Sequence, residues 1–142
     1  MKFLDTNIIL RFLTRDDEEK AQACLALFQR LERGEEEVTL GEAILTELCY
    51  VLSSSRHTYR LTREDIRARL LPLLGLRGLR LRNKRVYLRA LDLYVQYPRL
   101  DIEDALSVAR MEALGINEIY SYDTDFDGIP TVARLEPPPH RS

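Results

Sequence analysis

Lys2-Phe3-Leu4-Asp5-Thr6-Asn7-Ile8-Ile9-Leu10 opens the chain with a short apolar strand that ends in an acid and then turns into an apolar helical segment. The same pattern returns near the other end, where Ile119-Tyr120-Ser121-Tyr122 runs into Asp123. Between them the apolar residues fall at helical spacing in several blocks, separated by further short strands at Val38-Thr39-Leu40 and Leu79-Arg80-Leu81-Arg82. Short strands alternating with helices predict a parallel sheet flanked by helices. In such a sheet the carboxyl ends of the strands form the ligand crevice, so Asp5 and Asp123 are expected to face one site.

Local signals place the helices. Asp16 and Asp17 suit the start of a helix reaching about Arg33, with Ala21, Cys24, Leu27, Phe28 and Leu31 inward and Gly34 as its stop. A helix over about 42–54 sets Ile44, Leu48, Val51 and Leu52 on one face. Thr62 and Asp65 resemble a capping box for the next helix, which Pro72 should kink or shorten. Asn83 is positioned to cap a helix that Pro98 stops, and Asp101 to Leu114 is another, closed by Gly115. A last strand is expected at Thr131-Val132-Ala133, before a proline tail.

The chain has 142 residues, of which 45% are hydrophobic and 31% charged, enough for one domain with its own core. We read residues 1–136 as that domain and 137–142 as a flexible tail. Cys24 and Cys49 lack C-x-x-C spacing and read as reduced, buried thiols. No apolar run is long enough to span a membrane, and the first residues lack a signal-peptide pattern, so a soluble cytoplasmic protein is expected. The net charge is −2, but residues 56–89 carry eleven basic and two acidic groups, leaving the remainder strongly acidic. A basic middle beside acidic ends can set a phosphate-attracting surface next to a cation-binding centre; the same arginines can equally form the wet faces of amphipathic helices.

Two more acids stand out. Glu47 lies between Ile44 and Val51 on the face expected to be buried, where a lone carboxylate needs a metal or an arginine. Asp104 follows Asp101 by three residues, so it either completes a helix cap or turns inward beside Ala105 and Val108. Asp123-Thr124-Asp125-Phe126-Asp127-Gly128 copies the first half of an EF-hand loop, but Arg134 stands where the bidentate Glu is required and a strand precedes it. The only histidines are His57 and His140, so no zinc site is suggested, and neither a glycine-rich phosphate loop nor a nucleophile elbow is present. A set of acids alone suits a hard cation such as Mg²⁺ or Mn²⁺.

Taken in order, Leu4-Asp5-Thr6-Asn7, Leu45-Thr46-Glu47-Leu48 with Tyr50-Val51-Leu52, Asp101-Ile102-Glu103-Asp104-Ala105-Leu106 and Ser121-Tyr122-Asp123-Thr124-Asp125-Phe126 resemble the PIN domain family, more closely its VapC-type toxins. The resemblance implies a three-layer α/β/α fold with a short central parallel sheet. It implies that Asp5, Glu47, Asp104 and Asp123 are the catalytic, metal-binding quartet, with Thr6 and Ser121 in supporting positions and Asp125 as an extra acid. It further implies an Mg²⁺- or Mn²⁺-dependent endoribonuclease, usually a homodimer, held inactive by a small antitoxin protein. Rival readings are a nuclease acting on DNA or structured nucleic acid, a non-catalytic binding module, and a haloacid-dehalogenase-type phosphatase. The last wants a second Asp where this chain has Asn7.

Overall fold

The computed structural model describes residues 1–54 and 60–140. Arg56 and His57, singled out in the sequence, lie outside the described residues. The elements run β1 (Lys2–Phe3), α1 (Thr6–Thr14), α2 (Glu18–Glu32), β2 (Val38–Thr39), α3 (Ile44–Ser53), α4 (Arg63–Leu74), β3 (Leu79–Arg80), α5 (Lys84–Gln96), α6 (Ile102–Leu114), β4 (Glu118–Tyr120) and β5 (Ala133–Leu135). A 3₁₀ turn over Thr124–Gly128 joins the last two strands. This is an α/β fold in which every strand pair is parallel.

The parallel strands form two ladders, β1-β2-β3 and β4-β5. In the first, Lys2, Val38 and Leu79 share one level and Phe3, Thr39 and Arg80 the next. Asp5, Gly41 and Arg82 each come two residues after that second level, past the carboxyl ends of the three strands. Gly78 lets β3 approach: its N–H donates to the Leu31 carbonyl and its own carbonyl accepts from Val38, both at 2.8 Å. A Cβ there would sit 2.1 Å from the Glu36 carbonyl oxygen.

The helices begin where polar side chains can take up the free N–H groups of a first turn. Asp17 accepts from the Lys20 N–H, Thr62 from Asp65 and Asp101 from Asp104. Asn83 holds the N-cap position of α5 in a left-handed backbone, φ 59°, a conformation asparagine tolerates, but its side chain makes no capping bond. Helix α4 passes through Pro72 and ends two residues later at Leu74, because the ring removes an N–H only in the final turn. The last strand starts at Ala133 rather than Thr131: Ile129 and Val132 spend their N–H groups on the Phe126 and Ile129 carbonyls, so the chain is still turning there.

The core is continuous across both ladders and includes Leu4, Ile9, Leu31, Ile44, Leu48, Leu79, Leu91, Val108 and Phe126. Helix α3 packs against α1, α4 and α6. No charged or polar residue is buried among the described residues. Both cysteines are buried and unpaired, and burial pushes the Cys49 thiol up to about 12, which leaves it inert at neutral pH. No helix of the described residues is long and apolar enough to cross a membrane.

Candidate acidic site at the helix starts

Each of the four acids stands at the beginning of a helical element. Asp5 follows β1 and caps α1, its Oδ1 accepting from the Asn7 N–H at 3.1 Å. Glu47 lies in the first turn of α3. Asp104 lies in the first turn of α6. Asp123 follows β4 and caps the 3₁₀ turn, its Oδ1 accepting from the Asp125 N–H at 2.9 Å. Helix starts present N–H groups and the positive end of the backbone dipole, so they tolerate negative charge, whether of a carboxylate or of a phosphate. Asp5 and Asp123 therefore are cap residues, yet each engages only one carboxylate oxygen in its cap. Ser121 steadies Asp123 by accepting from its backbone N–H at 3.0 Å.

Asp104 carries the clearest electrostatic signature. It is half-buried, and its carboxyl is pushed up to about 6, first by loss of water and then by the nearby charges of Asp101, Asp123 and Asp125. The start of α6 and the segment after β4 thus crowd acids from distant parts of the chain. Asp5 and Glu47 are not among the groups acting on Asp104. They are linked to it through packing, α1 on α3 and α3 on α6. A cleft of about 390 Å³ is lined by Thr46, next to Glu47, and by Asp101 and Glu103, which flank α6's first turn.

Glu47 is exposed, against the expectation that it points into the core. The buried residues of α3 are Ile44, Leu45, Leu48, Cys49 and Leu52. That stripe is rotated away from Glu47 and leaves Val51 only half-buried, so the carboxylate sits on the helix flank in water without an arginine partner among the described residues. Asp125 is instead held by Arg99, whose Nε lies 3.1 Å from its Oδ1. Nothing in the sequence announces that pair, because its members are 26 residues apart. The EF-hand-like segment is closed from another side: Arg134 bonds Asp127 at 2.8 Å and Glu136 at 3.0 Å.

Among the described residues no group of three or more His, Cys, Asp or Glu side chains is placed to hold a metal ion. By donor chemistry the acids still fit a hard divalent cation: all are carboxylates, and the charge crowding at Asp104 is what a cation relieves.

About half of the described basic stretch is spent on structure. Arg63 donates to the Tyr94 and Tyr97 carbonyls at the end of α5 and to that of Leu100, and its guanidinium lies 4.1 Å from the centre of the Tyr94 ring. Arg67 bonds Asp92, Arg80 bonds Glu37 and Arg89 bonds Glu112. Lys84 donates to the Leu79 carbonyl at 2.8 Å.

The chain is similar to a curated relative, the VapC ribonuclease of Aquifex aeolicus (strain VF5), at 29% identity over 126 residues, covering 89% of this chain and 90% of that protein. The profile of the PIN domain family matches residues 2–131, which include all four acids. With that match over most of its length, the chain belongs to the PIN domain family.

Proposed function

We propose that this protein is a metal-dependent ribonuclease that hydrolyses RNA phosphodiester bonds with Mg²⁺ or Mn²⁺, and that it is the toxin of a toxin–antitoxin pair. Asp5, Glu47, Asp104 and Asp123 form its catalytic, metal-binding quartet in this reading, with Asp5 and Asp104 as direct ligands. The observation that carries it is the crowding of Asp104 by Asp101, Asp123 and Asp125, within a chain matched by the PIN domain profile over residues 2–131. Likeness to a protein named VapC ribonuclease supports RNA as the substrate. A small antitoxin protein as inhibitor, a homodimer and a cytoplasmic setting belong to the same reading.

The residues divide the work as follows. When bound, a divalent ion polarises the scissile phosphate and lowers the pKa of an attacking water. Asp5 and Asp123 each keep one carboxylate oxygen outside the cap and follow strands at their carboxyl ends, where ligands of parallel sheets bind. Ser121 holds the Asp123 backbone, and Asp101 holds that of Asp104. Glu47, exposed on the α3 flank, is left to complete the shell or orient the water. No serine, cysteine or histidine is assigned as a nucleophile, so water attacks directly.

The test is cleavage of defined RNAs and matched single-stranded DNA by the full chain with Mg²⁺, with Mn²⁺ and with EDTA. Metal-dependent cutting of RNA by the native protein, lost in Asp5→Asn while the fold persists, is the expected result. Equal cutting in EDTA, or an active Asp5→Asn protein, overturns the mechanism. Cutting of DNA alone overturns the substrate.

A further inference from the structure

Over the carboxyl ends of β2 and β3 lies a second cleft, of about 170 Å³, to which Thr39, Glu42, Arg82, Asn83, Tyr87 and Arg110 contribute. It lies outside the acid set, since none of the quartet lines it. That volume holds an oxyanion with a few waters. Two arginines from segments apart in sequence, the turn after β3 and the middle of α6, meet here. Neither has an ion pair or hydrogen bond among the described residues, whereas Arg63, Arg67, Arg80 and Arg89 are all engaged. The Asn83 side chain also makes no capping bond and is free to donate. Glu42 is the single acid in the lining, so the cleft keeps a net positive charge.

Register gives the cleft its meaning. Phe3, Thr39 and Arg80 are the last paired level of β1, β2 and β3, and Asp5 and Arg82 each follow that level by two residues. Two strand spacings separate the ends of β1 and β3 from which Asp5 and Arg82 depart, about 10 Å along one edge. An acidic centre and an arginine cleft at that separation suit successive parts of one polyanionic strand. Guanidinium groups favour phosphate for their planar fork of donors and weak hydration.

We propose that Arg82 and Arg110 form a phosphate subsite that holds the nucleic-acid backbone beside the acidic site. This deepens the nuclease reading and rests on it for the direction of the strand, but phosphate binding itself requires no catalysis. Nucleic acid is favoured over an acidic protein partner because the cleft is small, polar and at the same carboxyl edge of the sheet as Asp5.

The experiment is fluorescence anisotropy of a labelled oligo-uridylate with the full chain in EDTA, over a range of salt. Variants are Arg82→Gln, Arg110→Gln, the double variant and, as control, the exposed Arg69→Gln, each checked for an unchanged melting temperature. Arg82→Gln and Arg110→Gln are expected to weaken binding several-fold. Each should also reduce the slope of log affinity against log salt by about 0.7, the value for one single-strand phosphate contact. Arg69→Gln should bind as the native chain does. Native-like affinity and salt slope in both cleft variants overturn the subsite, as does displacement of the RNA by polyglutamate as readily as by unlabelled oligo-uridylate. If the native chain binds RNA through these arginines yet cleaves none with any metal, the nuclease reading fails and the subsite stands. If it cleaves but the cleft variants bind normally, the reverse holds.

Discussion

The backbone N–H of Asp104 donates to the Asp101 carboxylate at 2.8 Å, so the residue that caps α6 also presses its charge on the acid three positions later. One side chain thus does two opposed things. It satisfies a free N–H and orders the first turn, and it raises the proton affinity of Asp104. Substitution separates the two. Asp101→Asn keeps a good cap and removes the charge, whereas Asp101→Ala loses both. Asp101→Ala is expected to cost about 1 kcal/mol of stability at neutral pH. Asp101→Asn should cost less, because easing the repulsion offsets any weakening of the cap. Thermal melts of the two variants in EDTA decide it, and equal losses would contradict the dual role.

Asp104 itself makes the metal-free protein pH-sensitive. Its carboxyl titrates at about 6 in the fold, against 3.8 for the ordinary group. A raised pKa means the folded state binds the proton more tightly than the unfolded state does. The resulting stabilisation is fully present below pH 3.8 and is lost as pH rises through about 6. Other carboxylates titrate over the same range, so the contrast is the native protein against Asp104→Asn. In EDTA the variant should gain stability relative to the native protein as pH climbs from 4 to 7, by about 1–2 kcal/mol after allowing for partial exposure. A pH-independent difference in melting temperature would remove Asp104 from the crowded set.

Much of this arrangement is readable from residue order, and the unread part has physical causes. Strand-then-acid at Leu4-Asp5 and the caps at Asp17, Thr62 and Asp101 are local signals, carried by side chains that reach backbone groups a few positions away. The outward turn of Glu47 depends on which stripe of α3 its neighbours bury, and α1, α4 and α6 all pack on it. The Arg99–Asp125 pair and the Arg82–Arg110 cleft depend on where distant elements dock. The division of the strands into two ladders depends on backbone pairing that β1 and β4 do not make with each other.

Arg63 is a structural member of the basic stretch. Its guanidinium serves three carbonyls at and after the end of α5, where cations are favoured by the backbone dipole. Arg63→Met keeps an unbranched side chain beside Tyr94 but orphans those acceptors, at an expected cost of about 2–3 kcal/mol. Arg63→Lys should recover little, since all three bonds come from the terminal Nη1 and the lysine side chain, one bond shorter, brings its ammonium short of that position. Urea melts of the three proteins test this, and a fully stable Arg63→Lys would show that charge alone suffices.

Gly78 is required by close approach rather than by backbone conformation. A methyl there meets the Glu36 oxygen at 2.1 Å and the Leu31 oxygen at 3.0 Å, both backbone atoms that cannot swing aside. Gly78→Ala must therefore push β3 away from β2 or shift the turn after α2, at a cost of about 3 kcal/mol. Because Arg82 hangs from the end of β3, the same shift should weaken oligo-uridylate binding. A stable, fully binding Gly78→Ala protein would contradict the packing.

Divalent cations give the test that bears on the acids without any substrate. A ligand bound only by the folded state stabilises it, by about 2.7 kcal/mol at a hundred times its dissociation constant. Mg²⁺ or Mn²⁺ should therefore raise the melting temperature of the native protein. Asp5→Asn and Asp104→Asn should lose most of that rise, each having surrendered a proposed ligand. Asp101→Asn should keep it, since Asp101 adds charge beside the quartet without belonging to it. In EDTA the order should invert, with Asp104→Asn more stable than the native chain because its crowded charge is gone. A metal-induced rise of the same size in all four proteins would mean that the ion binds elsewhere, and the quartet would lose its assignment even if RNA cleavage survived.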